Sequence, residues 1–291
     1  MIELVIISGK GGTGKTSFTG AFAVLAKNKV LADCDVDAPD LHLLLNPKIK
    51  QNKEFLGGRM PIKDDQKCTT CGLCAEHCRF NAIDPETFEI NPFECERCGV
   101  CARICPEEAI TMDEALSGHW FISDTDYGPM VHAELGIGEE NSGRLVAVVR
   151  QNAKILAEDG NHDLILIDGP PGIGCPVISS VTGVDAALIV TEPTVSGVHD
   201  LTRAIDLVHH FNIYAMVCVN KFDLNSEVSD QIEALCQQRN VELIGRIRYD
   251  PMVTKALVIG KSIVSVSDIG AARDIKNMWN RVHKRLVRLK A

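Results

Sequence analysis

The stretch that most restricts the fold of this chain is Ser8-Gly-Lys-Gly-Gly-Thr-Gly-Lys-Thr-Ser17. An apolar run, Leu4 to Ile7, leads into it, and residues 15–28 carry a helical pattern. Strand, glycine-rich turn and helix in that order are the setting of a phosphate-binding loop. Gly9, Gly11, Gly12 and Gly14 let the backbone turn tightly and aim successive N–H groups at one point. With the positive end of the following helix they make an anion site, shared by Thr13 and Ser17. Gly9 to Thr16 complete G-x-x-x-x-G-K-[ST], which sends Lys15 to the β- and γ-phosphates and the Thr16 hydroxyl to Mg²⁺.

The rest of the chain alternates strands and helices around that start. Val30–Ala32 reads as a strand ending in Asp33-Cys-Asp-Val-Asp37. Acidic residues at the carboxyl end of a parallel strand face the ligand crevice. Asp35 is therefore placed to orient water or the Mg²⁺ shell. Asp33 and Asp37 stand open between that crevice and plain capping or solvation. Asp163–Asp168 reads as a central parallel strand, followed by Gly-Pro-Pro-Gly172, where Gly169 and Gly172 would let the loop sense a γ-phosphate by a backbone N–H. Residues 186–191, 212–219 and 241–247 read as further strands, and 144–158, 198–210 and 268–289 as helices. On the last helix Ile275, Met278, Val282, Leu286 and Leu289 share one face, which is expected to pack on the sheet. Residues 46–67 hold the breakers Asn46-Pro47, Gly57-Gly58 and Pro61 and read as a boundary. Trp120–Ser123 reads as a short strand. Residues 127–143 read as a long loop, with 139–143 at the surface or facing a partner. The expected fold is α/β: a doubly wound, mainly parallel sheet.

Cysteine sets the second constraint. Eight of the 12 cysteines fall between Cys68 and Cys105. The chain shows no signal-peptide pattern, so clustered cysteines read as metal ligands rather than disulfides. They form an internal repeat: Cys68, Cys71, Cys74 and Cys78 match Cys95, Cys98, Cys101 and Cys105, with Gly72 aligned to Gly99 and Ile83 to Ile110. Each copy is C-x₂-C-x₂-C-x₃-C and resembles the run of bacterial ferredoxins. Three thiolates of a copy turn onto one cluster and the fourth goes to the other. Cys68, Cys71, Cys74 and Cys105 are thus assigned to one [4Fe–4S] cluster, and Cys95, Cys98, Cys101 and Cys78 to the second. Pro106 follows the last cysteine as the run asks, but Arg79 replaces the corresponding proline of the first copy. A zinc ribbon would leave four cysteines idle. The resulting division is a P-loop ATPase domain at 1–59 and 119–291, with a small α+β ferredoxin-like domain inserted at 60–118. Cys34, Cys218 and Cys236 are isolated. Cys175, seven residues after Asp168, is either a ligand or a thiol at a helix start.

Lys10, just after the first glycine, resembles the deviant phosphate loop of the MinD/ParA ATPases. The resemblance implies an ATP-bound homodimer in which Lys10 crosses to the partner's nucleotide. It makes Asp35, with Pro39 nearby, the first switch, and Asp168 the carboxylate that holds Mg²⁺ through water. It also makes Asn220 the reader of the purine edge, and Tyr249 to Pro251 a wall for the base. Many relatives have proline where Arg248 stands. The implied cofactors are ATP/ADP, Mg²⁺ and two [4Fe–4S] clusters. The implied partner is a redox or cluster-accepting protein. Three activities follow: an ATPase gating electron transfer, an ATP-dependent cluster carrier, or a positioning ATPase with structural clusters. Known carriers use a C-x-x-C pair in the C-terminal half, which is missing after Cys105.

A net charge of −9 without a Lys/Arg-rich run argues against nucleic acid. No apolar stretch has the length of a membrane span, and a cytoplasmic location is expected.

Overall fold

The structure is a computed structural model and describes residues 1–136, 138–139 and 142–290. Its elements begin β1 (Ile2–Ser8), α1 (Lys15–Leu25), β2 (Lys29–Asp33), α2 (Leu41–Leu45) and β3 (Lys48–Lys63). They continue with α3 (Leu73–Glu76), α4 (Val100–Ile104), β4 (Ile110–Thr125), β5 (Gly128–Leu135), α5 (Ser142–Asp159), β6 (Leu164–Pro171) and α6 (Cys175–Val181). Last come β7 (Ala186–Thr191), α7 (Val195–His210), β8 (Tyr214–Asn220), α8 (Ser226–Gln238), β9 (Glu242–Ile247), α9 (Pro251–Val258), α10 (Ile263–Val266) and α11 (Ala271–Lys290). Among the described residues nine strands form one sheet, ordered β3-β4-β5-β2-β6-β1-β7-β8-β9. From β5 to β9 each neighbouring pair is parallel.

Parallel neighbours need crossover connections, which cover both faces of the sheet. Every residue of β1, β2 and β7 is buried accordingly. This two-sided burial is why those strands read as near-continuous apolar runs. Helix α11 buries Ile275, Met278, Trp279, Val282 and Leu286, and the Trp279 ring lies 4.7 Å from that of Phe22 in α1. The helix packs on the sheet through that face. Leu289, expected on the same stripe, is instead exposed in its final turn.

The chain divides into two compact units: Met1–Lys53, Trp120–Glu134 and Ser142–Ala291 in one, Glu54–His119 and Leu135–Asn141 in the other. The first holds a large core that includes Leu4, Ile6, Phe18, Phe22, Leu166 and Leu188. In the second, α3 and α4 bury no residue at all, and its buried apolar side chains include Phe55, Ala82, Ile83, Ala109 and Ile110.

Three segments differ from their sequence reading. Much of the supposed boundary 46–67 is the 16-residue strand β3. Gly57 sits inside it because a Cβ there would lie 2.8 Å from the Ser117 Cβ; it marks close approach, not a break. Trp120–Ser123 is only the end of β4, another 16-residue strand. The supposed loop 127–143 contains β5, where Met130, Val131, His132 and Ala133 are buried. Gly128 opens β5 at φ 130°, and a Cβ on it would meet the Lys29 carbonyl oxygen at 2.8 Å. Within 139–143, Glu140 and Asn141 lie outside the described residues. Glu139 forms a bidentate pair with Arg97, both bonds 2.7 Å.

Candidate nucleotide site and cysteine cages

The glycine-rich turn leaves the buried end of β1 and enters α1 through Gly14. Gly12 and Gly14 hold φ values of 77° and 97°, a conformation that side-chain-bearing residues seldom adopt. The turn is fixed from three sides. Ser8 Oγ donates to the Lys10 carbonyl at 2.6 Å. Asn220 Nδ2 donates to the Thr13 carbonyl at 2.8 Å. Gly9 packs so tightly on α7 that a Cβ would stand 2.4 Å from the Asp200 Cβ. A cavity of about 590 Å³ opens at the turn, lined by Gly11, Gly12, Gly14, Lys15, Thr16 and Ser17 on one side. Asp35, Asp37, Asp40, Leu43, Pro171 and Leu257 are among its other walls. Its volume is that of a ligand site.

The carboxylates gather because β2 and β6 pair with Asp33 opposite Asp168. Asp168 is fully buried; its Oδ1 accepts from Thr19 Oγ1 at 2.8 Å, and its Oδ2 has no protein partner. Burial pushes its pKa up to about 6, against the pull of the Thr16 hydroxyl and Lys15. Burial likewise raises Asp35 to about 6, with Lys15 opposing. A buried anionic oxygen with no donor is the kind of group a cation satisfies. Asp33, open between roles in the sequence, turns out to be a tether. Its two oxygens accept from the Asp35 N–H at 3.1 Å and the Leu41 N–H at 3.2 Å, which shapes the loop between them. Burial, then the neighbouring Asp168, hold its pKa well above the usual range. Nothing in D-x-D distinguishes a tether from a ligand.

Other expected residues fall as follows. Lys10 Nζ lies within 3.2 Å of Thr194 Oγ1, 3.3 Å of Ser196 Oγ and 4.0 Å of Glu192 Oε2. Sequence spacing gave no sign of this anchor, 182 or more residues away. Gly172 spends its N–H on the Ser8 carbonyl at 2.9 Å, so the N–H is not offered to a ligand in this arrangement. Pro251 is the first residue of α9, with Asp250 as its cap; neither Pro251 nor Asn220 lines the cavity wall, although Leu257 does. Cys175 is exposed at the start of α6, while Cys34, Cys218 and Cys236 are buried. Burial raises all three thiols, Cys236 to about 11.

In the other unit the repeat is a repeat of backbone as well as sequence. Thr70 and Arg97, Gly72 and Gly99, and Asn81 and Glu108 all take positive φ at matching positions. Two cavities result. Cys68, Cys71, Cys74 and Cys105 line one; Cys78, Cys95, Cys98 and Cys101 line the other. Each therefore takes three thiols from one copy and the fourth from the other. The Ala109 N–H donates to Cys105 Sγ at 3.3 Å and the Arg97 N–H to Cys95 Sγ at 3.4 Å. Such donors stabilise a thiolate. Among the described residues no three His, Cys, Asp or Glu side chains converge as ligands of a single metal ion. The four thiols around each cavity form an all-sulfur donor set, of the kind that holds most iron–sulfur clusters. No helix is long and apolar enough to cross a membrane among the described residues.

Comparison with known proteins bears on the nucleotide site. The profile of the CobQ/CobB/MinD/ParA nucleotide binding domain matches residues 4–263. The chain is similar to the uncharacterized protein MJ0578 of Methanocaldococcus jannaschii, 39% identical over 230 residues, which is 78% of this chain and 80% of that one. It is 28% identical over 145 residues to an iron–sulfur cluster carrier protein of Pyrococcus horikoshii, covering 45% of this chain and 48% of the relative. In fold it resembles the septum site-determining protein MinD of Pyrococcus horikoshii, solved with Mg-ADP. That match has a TM-score of 0.60 and 18% identity, over 100% of this chain and 98% of the other. With the profile spanning the loop, the carboxylates and the sheet that joins them, the chain belongs to the CobQ/CobB/MinD/ParA nucleotide-binding family.

Proposed function

We propose that this protein hydrolyses Mg²⁺-ATP and that its nucleotide state gates electron transfer from two [4Fe–4S] clusters to a partner protein. The observation that carries the reading is the crossed sorting of eight cysteines into two four-thiol cages on a chain with a complete phosphate loop. The second unit is then a ferredoxin-like insert in a nucleotide-binding domain. When bound, the clusters supply one-electron redox chemistry.

The chain's own residues supply the rest. Backbone N–H groups of Gly11 to Ser17, with Lys15, hold the phosphates. The Thr16 hydroxyl and the unpartnered Asp168 Oδ2 would hold Mg²⁺. Asp35 aligns water for attack on the γ-phosphate. Lys10 leaves its anchor on Glu192 to reach the nucleotide of a second copy. Asn220 keeps one N–H on the Thr13 carbonyl and has a second for a purine edge. Loss of the γ-phosphate relaxes the loops after β2 and β6, a known way to move attached segments. Asp33 makes the first of these loops a defined shape rather than a floppy one. From it the chain runs through α2 directly into β3 and on to the cysteines.

A second reading, delivery of clusters, is favoured by the relatives named iron–sulfur cluster carriers in three Pyrococcus species. One anaerobic experiment separates the two. Dithionite-reduced protein is mixed with an electron acceptor in the presence of ADP or a slowly hydrolysed ATP analogue. Gating predicts different rates or cluster potentials with the two nucleotides; identical values overturn it. Transfer of iron and sulfide to an apo-ferredoxin, faster with ATP, would establish delivery instead.

A further inference from the structure

We propose that a protein with a basic surface docks over the cage of Cys78, Cys95, Cys98 and Cys101, on an apolar centre of Phe80, Phe93 and Val100 with an acidic rim. This rests on the two-cluster reading, which it deepens by choosing the cage and the charge of the partner. The first observation is charge. The cysteine unit carries fifteen acidic and six basic side chains, a net −9, which equals the net charge of the whole chain. The nucleotide unit is therefore balanced, and the attraction for a basic partner belongs to the cysteine unit.

The second observation is a difference between the cages. Phe80 and Val100 line the second cage and are 45% and 42% exposed; Phe93, two residues before Cys95, is 83% exposed. Around the first cage, Leu73 and Phe88 are half-buried, and Ala109 and Ile110 are buried. A small unit with so few buried apolar groups gains by hiding two phenylalanines, and leaving them at one cage marks a contact face. Glu94 and Glu96 are exposed on either side of Cys95, and Glu76 is exposed before Cys78. Arg79 beside Phe80 and Arg103 on α4 are exposed cations there, against Glu76, Glu94 and Glu96, whereas Arg97 is engaged by Glu139. An acidic rim around an apolar centre steers a basic protein and then excludes water at the contact. With a cluster bound and reduced, the docked face would hold the partner's acceptor near it for transfer of one electron. No atom or proton moves with it.

The test uses the full chain, reconstituted anaerobically, with oxidised cytochrome c as the basic probe. Calorimetry gives its affinity, and stopped-flow absorbance gives its reduction after dithionite treatment. Raising salt from about 20 to about 200 mM should weaken binding about tenfold or more, because the Debye length shrinks below the rim's dimensions. Glu94→Gln with Glu96→Gln should weaken it about tenfold at low salt, and Phe93→Ser several-fold at both salts. Glu107→Gln with Glu108→Gln, beside the first cage, should leave it unchanged. Equal loss from both acidic pairs, or no loss from Phe93→Ser, overturns the choice of face. Iron and sulfide are counted per chain in each variant. Their absence from the wild type would sink the two-cluster reading itself, which the binding measurement reports separately.

Discussion

The two units are held together by different physics. The nucleotide unit buries whole strands and closes with Phe22 on Trp279, so its stability comes from apolar surface withdrawn from water. The cysteine unit has two short helices without a buried residue, and its buried apolar side chains include Phe55, Ala82, Ile83, Ala109 and Ile110. A unit that small, with that core, needs another source of order, and ligation of metal supplies it in many small domains. On the two-cluster reading, one chain would contain a scaffold that is stable before its ligand arrives and another that is completed by its ligand.

The largest effect should come from stripping metal. Anaerobic chelation of reconstituted protein should unfold the cysteine unit and leave the nucleotide unit intact. Limited proteolysis would show cuts confined to about residues 54–119, and equal cutting in both units would erase the contrast. Next, Lys15→Ala should lower ATP hydrolysis about a thousandfold while iron per chain is unchanged, since one charged phosphate contact is lost. Phosphate release and iron assays check this, and a fall in both would mean the units are not separable.

Leu166→Ala, at a fully buried position of β6, should cost about 3 to 4 kcal/mol in denaturant unfolding of the nucleotide unit. The smallest effect is acid sensitivity at His132. Burial lowers its pKa from 6.5 to about 4, with its Nε2 2.9 Å from Ser123 Oγ. The unfolded chain therefore binds the proton more readily. The contribution is fully present above pH 6.5 and is lost as pH falls toward 4, about 2 kcal/mol of it between pH 7 and pH 5. Unfolding curves of the wild type and His132→Leu should converge by that amount across the interval; parallel curves would remove His132 from the account.

What the sequence reveals divides along similar lines. The phosphate loop was legible because its backbone needs glycines at positions such as Gly12 and Gly14, and the grouping of the cysteines around two cavities because the two runs repeat position for position. The central strands were legible because burial on both faces leaves an unbroken apolar run. β3 was not: residues Lys48–Glu54 are exposed, so no face imprints a period of two, and its glycine answers to Ser117, 60 positions away. β5, though buried at Met130 to Ala133, was hidden because Gly128 and Pro129 read as a turn, while Gly128 answers to the distant Lys29 carbonyl. The Asp33 tether and the Lys10 anchor depend on partners that only the folded sheet brings near.

The contact between Gly9 and Asp200 has a mechanical meaning. With room for only a hydrogen atom between them, the turn and α7 mesh like adjoining gear teeth. On the proposed mechanism, a displacement of the loop on nucleotide exchange would be shared by α7. The exposed Val195 at the head of that helix then becomes an outward pointer to the state of the pocket.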